Sequence, residues 1–241
     1  MKSLNLIALV GFSIAVAAAA QTSQTTPALS RVNFLKQYKG TPYADARHTG
    51  GPQTIPGKVF PAYYDMGGEG VAYHDSDAKN NGSGALNPAD GSYLNEFRMN
   101  EGVDTSYTKF GKDPQIDDTE YDRVKPPADL LYVGWTVPGE WFNVTVDVKK
   151  AGWYSADLLY TSNRGGAISL DVNGAPATGS LTIESTYDAK DPVAWRQWHH
   201  WNVARHIAKV KLARGRNVIT VNIVAEGQMN LAYFDFNPAS M

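Results

Sequence analysis

Three tryptophans, Trp195, Trp198 and Trp201, fall within the single run AWRQWHHW, and they are half of the chain's six. An indole presents a broad, partly apolar face that stacks on flat rings, and a chain keeps such faces in water only where something binds them. The cluster therefore raises stacking on a flat ligand as its chemistry. Other residues that do chemistry are more scattered. A glycosidase needs two carboxylates held roughly 5–10 Å apart across a cleft. Glu69, Asp75, Glu96, Glu140 and Asp235 are available, but none sits in a catalytic sequence context. His199 and His200, with His206, invite a metal, yet adjacent residues on a strand face opposite ways and do not chelate one ion. There is no G-x-S-x-G elbow and no cysteine nucleophile. The acidic run KDPQIDDTEYD, 112–122, lacks the spacing of a calcium loop and reads as a solvated acidic loop.

The elements that must position these residues are strands. From Ile55 onward short runs of alternating or β-branched residues recur, punctuated by Gly, Asn and Pro: 58–64, 70–75, 131–135, 141–148, 152–161, 167–174, 180–186, 199–204, 207–213, 217–225 and 229–236. That spacing predicts an all-β antiparallel sandwich with few, short helices. Asn173-Gly174 suits a two-residue hairpin, and residues 149–152 separate two alternating runs. The stretch 208–218 reads as strand, turn at Gly215, strand, with its cations in water. Residues 79–128, rich in Asn, Gly, Asp and Pro, predict long ordered loops on one edge. On an unbroken strand Trp195 and Trp201 share one face and Trp198 the other, so Trp201 is a candidate for the edge of a site. Trp198 and Trp141 read as core.

Ahead of this domain, Lys2 precedes the apolar run LNLIALVGFSIAVAAAA, which ends in small residues before Gln21. Residues 1–20 are expected to be a secretory signal peptide, leaving no membrane anchor after cleavage. Residues 21–54 read as a linker with a docking segment around Val32–Leu35, and 55–238 as the sandwich domain. With no cysteine among 241 residues, there is no disulfide framework, and stability must come from the hydrophobic core. Net charge is −2 with scattered cations, which argues against a nucleic-acid partner.

Six segments occur in an order that resembles the family 6 carbohydrate-binding modules: IPGKV at 55–59, YDMGGEGVAYHDSD at 64–77, EGVDTSY at 101–107, YVGWTVPGEW at 132–141, AWRQW at 194–198 and MNLAYFDF at 229–236. The resemblance implies a galactose-binding-like jelly-roll sandwich with long loops. It also implies non-catalytic binding of a plant or algal cell-wall-type polysaccharide by aromatic stacking in a loop cleft. Localisation would be secreted, extracellular or periplasmic, with secreted glycan-degrading enzymes as companions. A small glycoside hydrolase or polysaccharide lyase on the same fold is the alternative. Carried onto this chain, the stacking pair is Trp135 and Trp195, and Asn230 is the amide that fixes hydroxyls, with His74 or Asp75 as further groups gripping a chain-end sugar. Each has a plain structural alternative: Trp135 as core filler, Asn230 as a strand-end cap, Asp75 as a turn residue.

The chain departs from that family where a structural calcium ion is commonly held. The ligand positions fall on Phe60, Ala62 and Ala232, which supply no side-chain oxygen, whereas calcium takes six to eight oxygens. No cofactor is expected, and Phe60 is expected to pack apolar surface at that position.

Overall fold

The computed structural model describes residues 31–48 and 51–240; the expected signal peptide lies outside the described residues. Two sheets face each other. The first has seven strands, in the order Gln53–Ile55, Trp141–Val148, Gly215–Ala225, Gly166–Val172 and Ala175–Pro176. Tyr73–His74 also pairs with Trp141–Val148, and Leu181–Ile183 with Gly166–Val172. The second has six, in the order Asn202–Leu212, Gly152–Ser162, Met229–Ala239, Leu131–Val133 and Thr105–Tyr107, with Gly57–Val59 on Met229–Ala239. Pairing within the sandwich is antiparallel except for Gln53–Ile55 beside Trp141–Val148.

Period-two alternation fills the core. Val144, Val146, Leu170, Ile219 and Val221 point inward from the first sheet and meet Ala156, Leu158, Val210, Phe234 and Phe236 from the second. The long strands in succession alternate between sheets, so the connection at 149–151 crosses the end of the sandwich rather than closing a hairpin. Asn173-Gly174 does close one: both have positive φ, 54° and 73°, and Val172 faces Ala175.

Several strands differ from the sequence expectation, each for a local reason. The run 58–64 stops at Val59, because Pro61 starts a 3-10 turn, Pro61–Tyr63. The runs 199–204 and 207–213 form one strand, Asn202–Leu212, with a register shift between Ala204 and Ala208. The sheet begins at Gln53, two residues before Ile55. Upstream of it, a short helix, Arg31–Gln37, lies on the sandwich: Arg31 donates to the carbonyls of Arg214 (3.1 Å) and Arg216 (2.6 Å).

The last strand contains the irregularity that matters most. Leu231 faces Tyr160 and Tyr233 faces Leu159, so Ala232 is an extra residue that rephases the strand. Leu231, Phe234 and Phe236 thereby all enter the core, while Asn230 and Ala232 turn to the outer face of the second sheet. That face is not solvated. Tyr132, Leu159, Trp201 and Ala232 form a second apolar cluster on it, covered by loops from 79–130 and 184–201.

Candidate functional site

The two covering loops and the outer face of the second sheet enclose a cleft of about 550 Å³, within the roughly 300–1,000 Å³ usual for small-ligand sites. Trp135, Trp195, Trp198 and Asn230 are in its lining, with Tyr132 and His199. The 3-10 turn Ala194–Arg196 presents Trp195, which is 52% exposed.

That turn is held by a buried ion pair. Asp191, fully buried, accepts from Arg196 Nε (2.6 Å) and Nη2 (2.7 Å), His200 Nε2 (2.9 Å) and the Val193 amide (2.9 Å). Burial works against the Asp191 charge, but the hydrogen bonds from Arg196 and His200 outweigh it and hold its carboxyl well below the usual range. Arg196 also reaches across to the Gln115 carbonyl (2.5 Å), joining the tryptophan turn to the facing loop.

On the other wall, Leu131–Val133 ends at Gly134, and Trp135 takes a left-handed backbone, φ 48°, a conformation that bulky side chains rarely adopt. Two close approaches accommodate it. A Cβ on Gly82 would come within 2.9 Å of the Trp135 ring, and one on Gly134 within 2.7 Å of Asn230 Oδ1. Asn230 Nδ2 donates to Thr161 Oγ1 (2.9 Å), but its Oδ1 is buried without a partner. An orphaned buried acceptor costs roughly 1–3 kcal/mol unless something outside the chain donates to it.

Beneath the cleft, Asp117 is fully buried rather than part of a solvated acidic loop. Its carboxylate accepts from Trp201 Nε1 (2.6 Å) and the Lys109 amide (2.7 Å), and His199 Nε2 lies 3.0 Å away. Burial opposes that charge too, yet the contact with His199 and the Trp201 bond lower its pKa. Asp122 is spent similarly, accepting from the Trp201 amide (2.9 Å).

The sequence-derived candidates thus divide. Trp135, Trp195 and Asn230 line one cleft. His74 and Asp75 do not: Tyr73–His74 belongs to the first sheet, and both residues line a separate hollow of about 10 Å³, room for no more than a water. His74 Nδ1 is 2.5 Å from Glu69 Oε1, and Asp75 Oδ1 accepts from the Asp77 amide (2.9 Å). Burial pushes the Asp75 carboxyl up to about 7 and Asp104 to about 6, with Glu140 and Asp77 adding repulsion to both.

Trp201 is a core residue, fully buried. Trp198, expected in the core, is half-buried in the cleft wall and stacked on His199, with centroids 5.4 Å apart. The reason is that residues 194–197 turn helically. At 3-10 spacing Trp195 and Trp198 eclipse each other, whereas strand alternation would have separated them. The i, i+3 spacing was the available signal. Trp141 is also only half-buried, on the outer face of the first sheet.

At the positions where the resemblance places calcium ligands, Ala62 and Ala232 are fully buried, and Phe60 packs edge-on against Tyr63 and Tyr233. With no side-chain oxygen at any of the three, this donor set does not fit calcium. No group of three or more His, Asp or Glu among the described residues is placed to hold a metal ion.

No protein-family model matches the chain, and no curated protein matches it. Among solved structures the chain is similar to a family 35 carbohydrate binding module from Clostridium thermocellum, at 21% identity and TM-score 0.36, over 45% of this chain and 78% of that one. It is similar to the module CsCBM6-3 from Clostridium stercorarium in complex with cellobiose, at 10% identity and TM-score 0.46, over 79% of this chain and 100% of that one. A third is a glycoside hydrolase family 43 arabinoxylan arabinofuranohydrolase from Bacillus subtilis in complex with cellotetraose, at 14% identity and TM-score 0.45; the match covers 81% of this chain and 30% of that one. Every one of these scores is below 0.5, and the fold and the site rest on the sheets and side chains described above.

Proposed function

We propose that this protein binds polysaccharide without cleaving it, stacking a sugar ring in the tryptophan-lined cleft. The observation that carries the reading is Asn230 Oδ1, a buried acceptor without a partner, in a lining shared with Trp135, Trp195 and Trp198. A pyranose offers what that lining lacks: an apolar C–H face for an indole and hydroxyls that donate to an amide oxygen. Each half-covered indole buries about 75–100 Å² and contributes about 2 kcal/mol. Two such faces and one amide, less association costs, give a dissociation constant on the order of 10⁻⁴ to 10⁻⁵ M, suited to a targeting module.

A hydrolytic role is less well supported, because the lining of the cleft contains no Asp or Glu. Asp75 and Asp104, whose pKa values are raised to about 7 and about 6, are outside that lining, and Asp75 lines the hollow too small for a sugar. We infer further that residues 1–20 direct export and are cleaved after Ala20, which N-terminal sequencing of the exported protein tests.

Affinity electrophoresis in gels containing xylan, laminarin, agarose, hydroxyethylcellulose or mannan tests the binding. Retardation by at least one glycan is expected, abolished by Trp195→Ala and by Trp135→Ala, with no reducing sugar released from the same panel. Retardation that survives both substitutions would place binding elsewhere, and steady release of reducing ends would make the protein an enzyme.

A further inference from the structure

Among the described residues that line the cleft there is one fixed cation, Lys109, and no carboxylate. Lys109 is half-buried in its lining, and its ammonium donates to Ser106 Oγ (3.1 Å) and the Tyr107 carbonyl (3.2 Å) while lying 4.1 Å from the centre of the Tyr107 ring. An ammonium has three N–H groups, so one has no acceptor among the described residues. Nor does Lys109 form an ion pair with any described carboxylate. Asp117 bonds its amide rather than its ammonium, and both Asp117 oxygens are engaged, one by Trp201 and one by that amide. Ser106 is braced in turn by Asn87 Nδ2 (3.0 Å), which holds the ammonium's acceptor in place.

Burial lowers the Lys109 pKa; Asp117 attracts the ammonium through space without bonding it, but burial outweighs that attraction, so the charge is only partly compensated from within the chain. A neutral sugar offers the remaining N–H a hydroxyl oxygen but no charge to offset the ammonium, whereas an anionic substituent offers both. We propose that Lys109 makes the cleft selective for glycans bearing an anionic substituent, a sugar carboxylate or a sulfate ester, on or beside the stacked ring. Lysine acts here as a point charge, which suits either anion, whereas a bidentate guanidinium would favour planar carboxylate geometry. The inference rests on the glycan reading of the cleft and deepens it.

Two matched pairs of polymers test it by affinity electrophoresis: glucuronoxylan against the same polymer with its carboxyl groups reduced to alcohols, and carrageenan against the same polymer with its sulfate esters removed. Wild type is expected to bind the charged member of at least one pair about tenfold more tightly, and which pair responds distinguishes carboxylate from sulfate. That preference is expected to shrink in 0.5 M salt, where the Debye length is only about 4 Å. Lys109→Gln should lose the preference while keeping its affinity for the neutral member; Lys109→Arg should retain it. Equal binding of both members by wild type overturns the proposal but leaves glycan binding intact. So does a Lys109→Gln variant that weakens on both members alike, since Lys109 is then only a brace for Ser106 and Tyr107. Binding to none of the four polymers, nor to the neutral panel, overturns the glycan reading together with it.

Discussion

The outer faces of the two sheets each carry a hollow of similar size, about 520 Å³ on the first and about 550 Å³ on the second, and each hollow includes tryptophan. They differ in what their polar groups do. On the first, Asn143 accepts from Thr220 Oγ1 (2.6 Å) and donates to the Val71 carbonyl (3.0 Å), Asn222 bonds Ser169 (3.3 Å), and Tyr38 donates to Asp65 (2.7 Å). Each of these groups is answered from within the chain. On the second, Asn230 Oδ1 is orphaned, Trp195 stands 52% exposed, and Trp135 occupies a strained backbone. Volume therefore does not identify a site. Unmet bonding capacity and unrelieved strain do, because folding removes both unless a ligand rewards their retention.

The largest expected effect separates the scaffolds of the two faces. Arg196→Ala takes the guanidinium from the fully buried Asp191 carboxylate, leaving only His200 and the Val193 amide to answer it, and should cost about 3–5 kcal/mol in chemical denaturation, whereas Asn143→Ala breaks only neutral bonds and should cost about 1 kcal/mol. Equal losses would mean that the tryptophan turn is held by something other than its ion pair. Next in size is the binding contrast: Trp195→Ala should weaken glycan binding about thirtyfold, the equivalent of about 2 kcal/mol, and Trp141→Ala less than about twofold. If titration shows the reverse order, the polar face of the first sheet is the site.

Asn230→Ala sharpens the comparison further. It should weaken binding about tenfold yet leave thermal stability nearly unchanged, since the lost bond to Thr161 is offset by removing an orphaned acceptor. A large fall in melting temperature with unaltered affinity would make Asn230 purely structural. The smallest effect lies at the His74 and Asp75 hollow. Asp75 and Asp104 have folded-state pKa values raised by burial and neighbouring carboxylates to about 7 and about 6. The stability they contribute is complete below their unfolded value and is lost as pH rises through 6 and 7. His74, raised by its bond to Glu69, acts in the same direction. Melting temperature should thus rise modestly from pH 8 to pH 5 and flatten in Asp75→Asn, while the depressed Asp117 and Asp191 withdraw stability only in more acid solution. A melting temperature that falls across that interval would show that these carboxyls are ionised in the fold.

Most of the sandwich was legible because a half-buried strand repeats every two residues, and the runs 141–148, 217–225 and 229–236 state that repeat plainly. Asn173-Gly174 declared its turn through the positive φ that both positions require. Trp135, Trp195 and Asn230 came from a resemblance in motif order, and the fold places all three in one cleft. Trp198, His199 and Lys109 were missed there. Trp198 was misassigned because AWRQW was read with strand periodicity although it turns; Lys109 lies in a loop whose path no local pattern encodes.

Local chemistry, then, determined the all-β class, the sheet-forming segments and the aromatic character of the chain, since alternation, turn residues and apolar content act over a few neighbours. Tertiary structure alone decided which face of which sheet became the site. The bulge at Ala232 turned Asn230 outward, Asp191 and Arg196 aimed Trp195, and the 79–130 loops brought Lys109 to the cleft. Each of these depends on contacts between residues far apart in the chain, and no short-range pattern can state them.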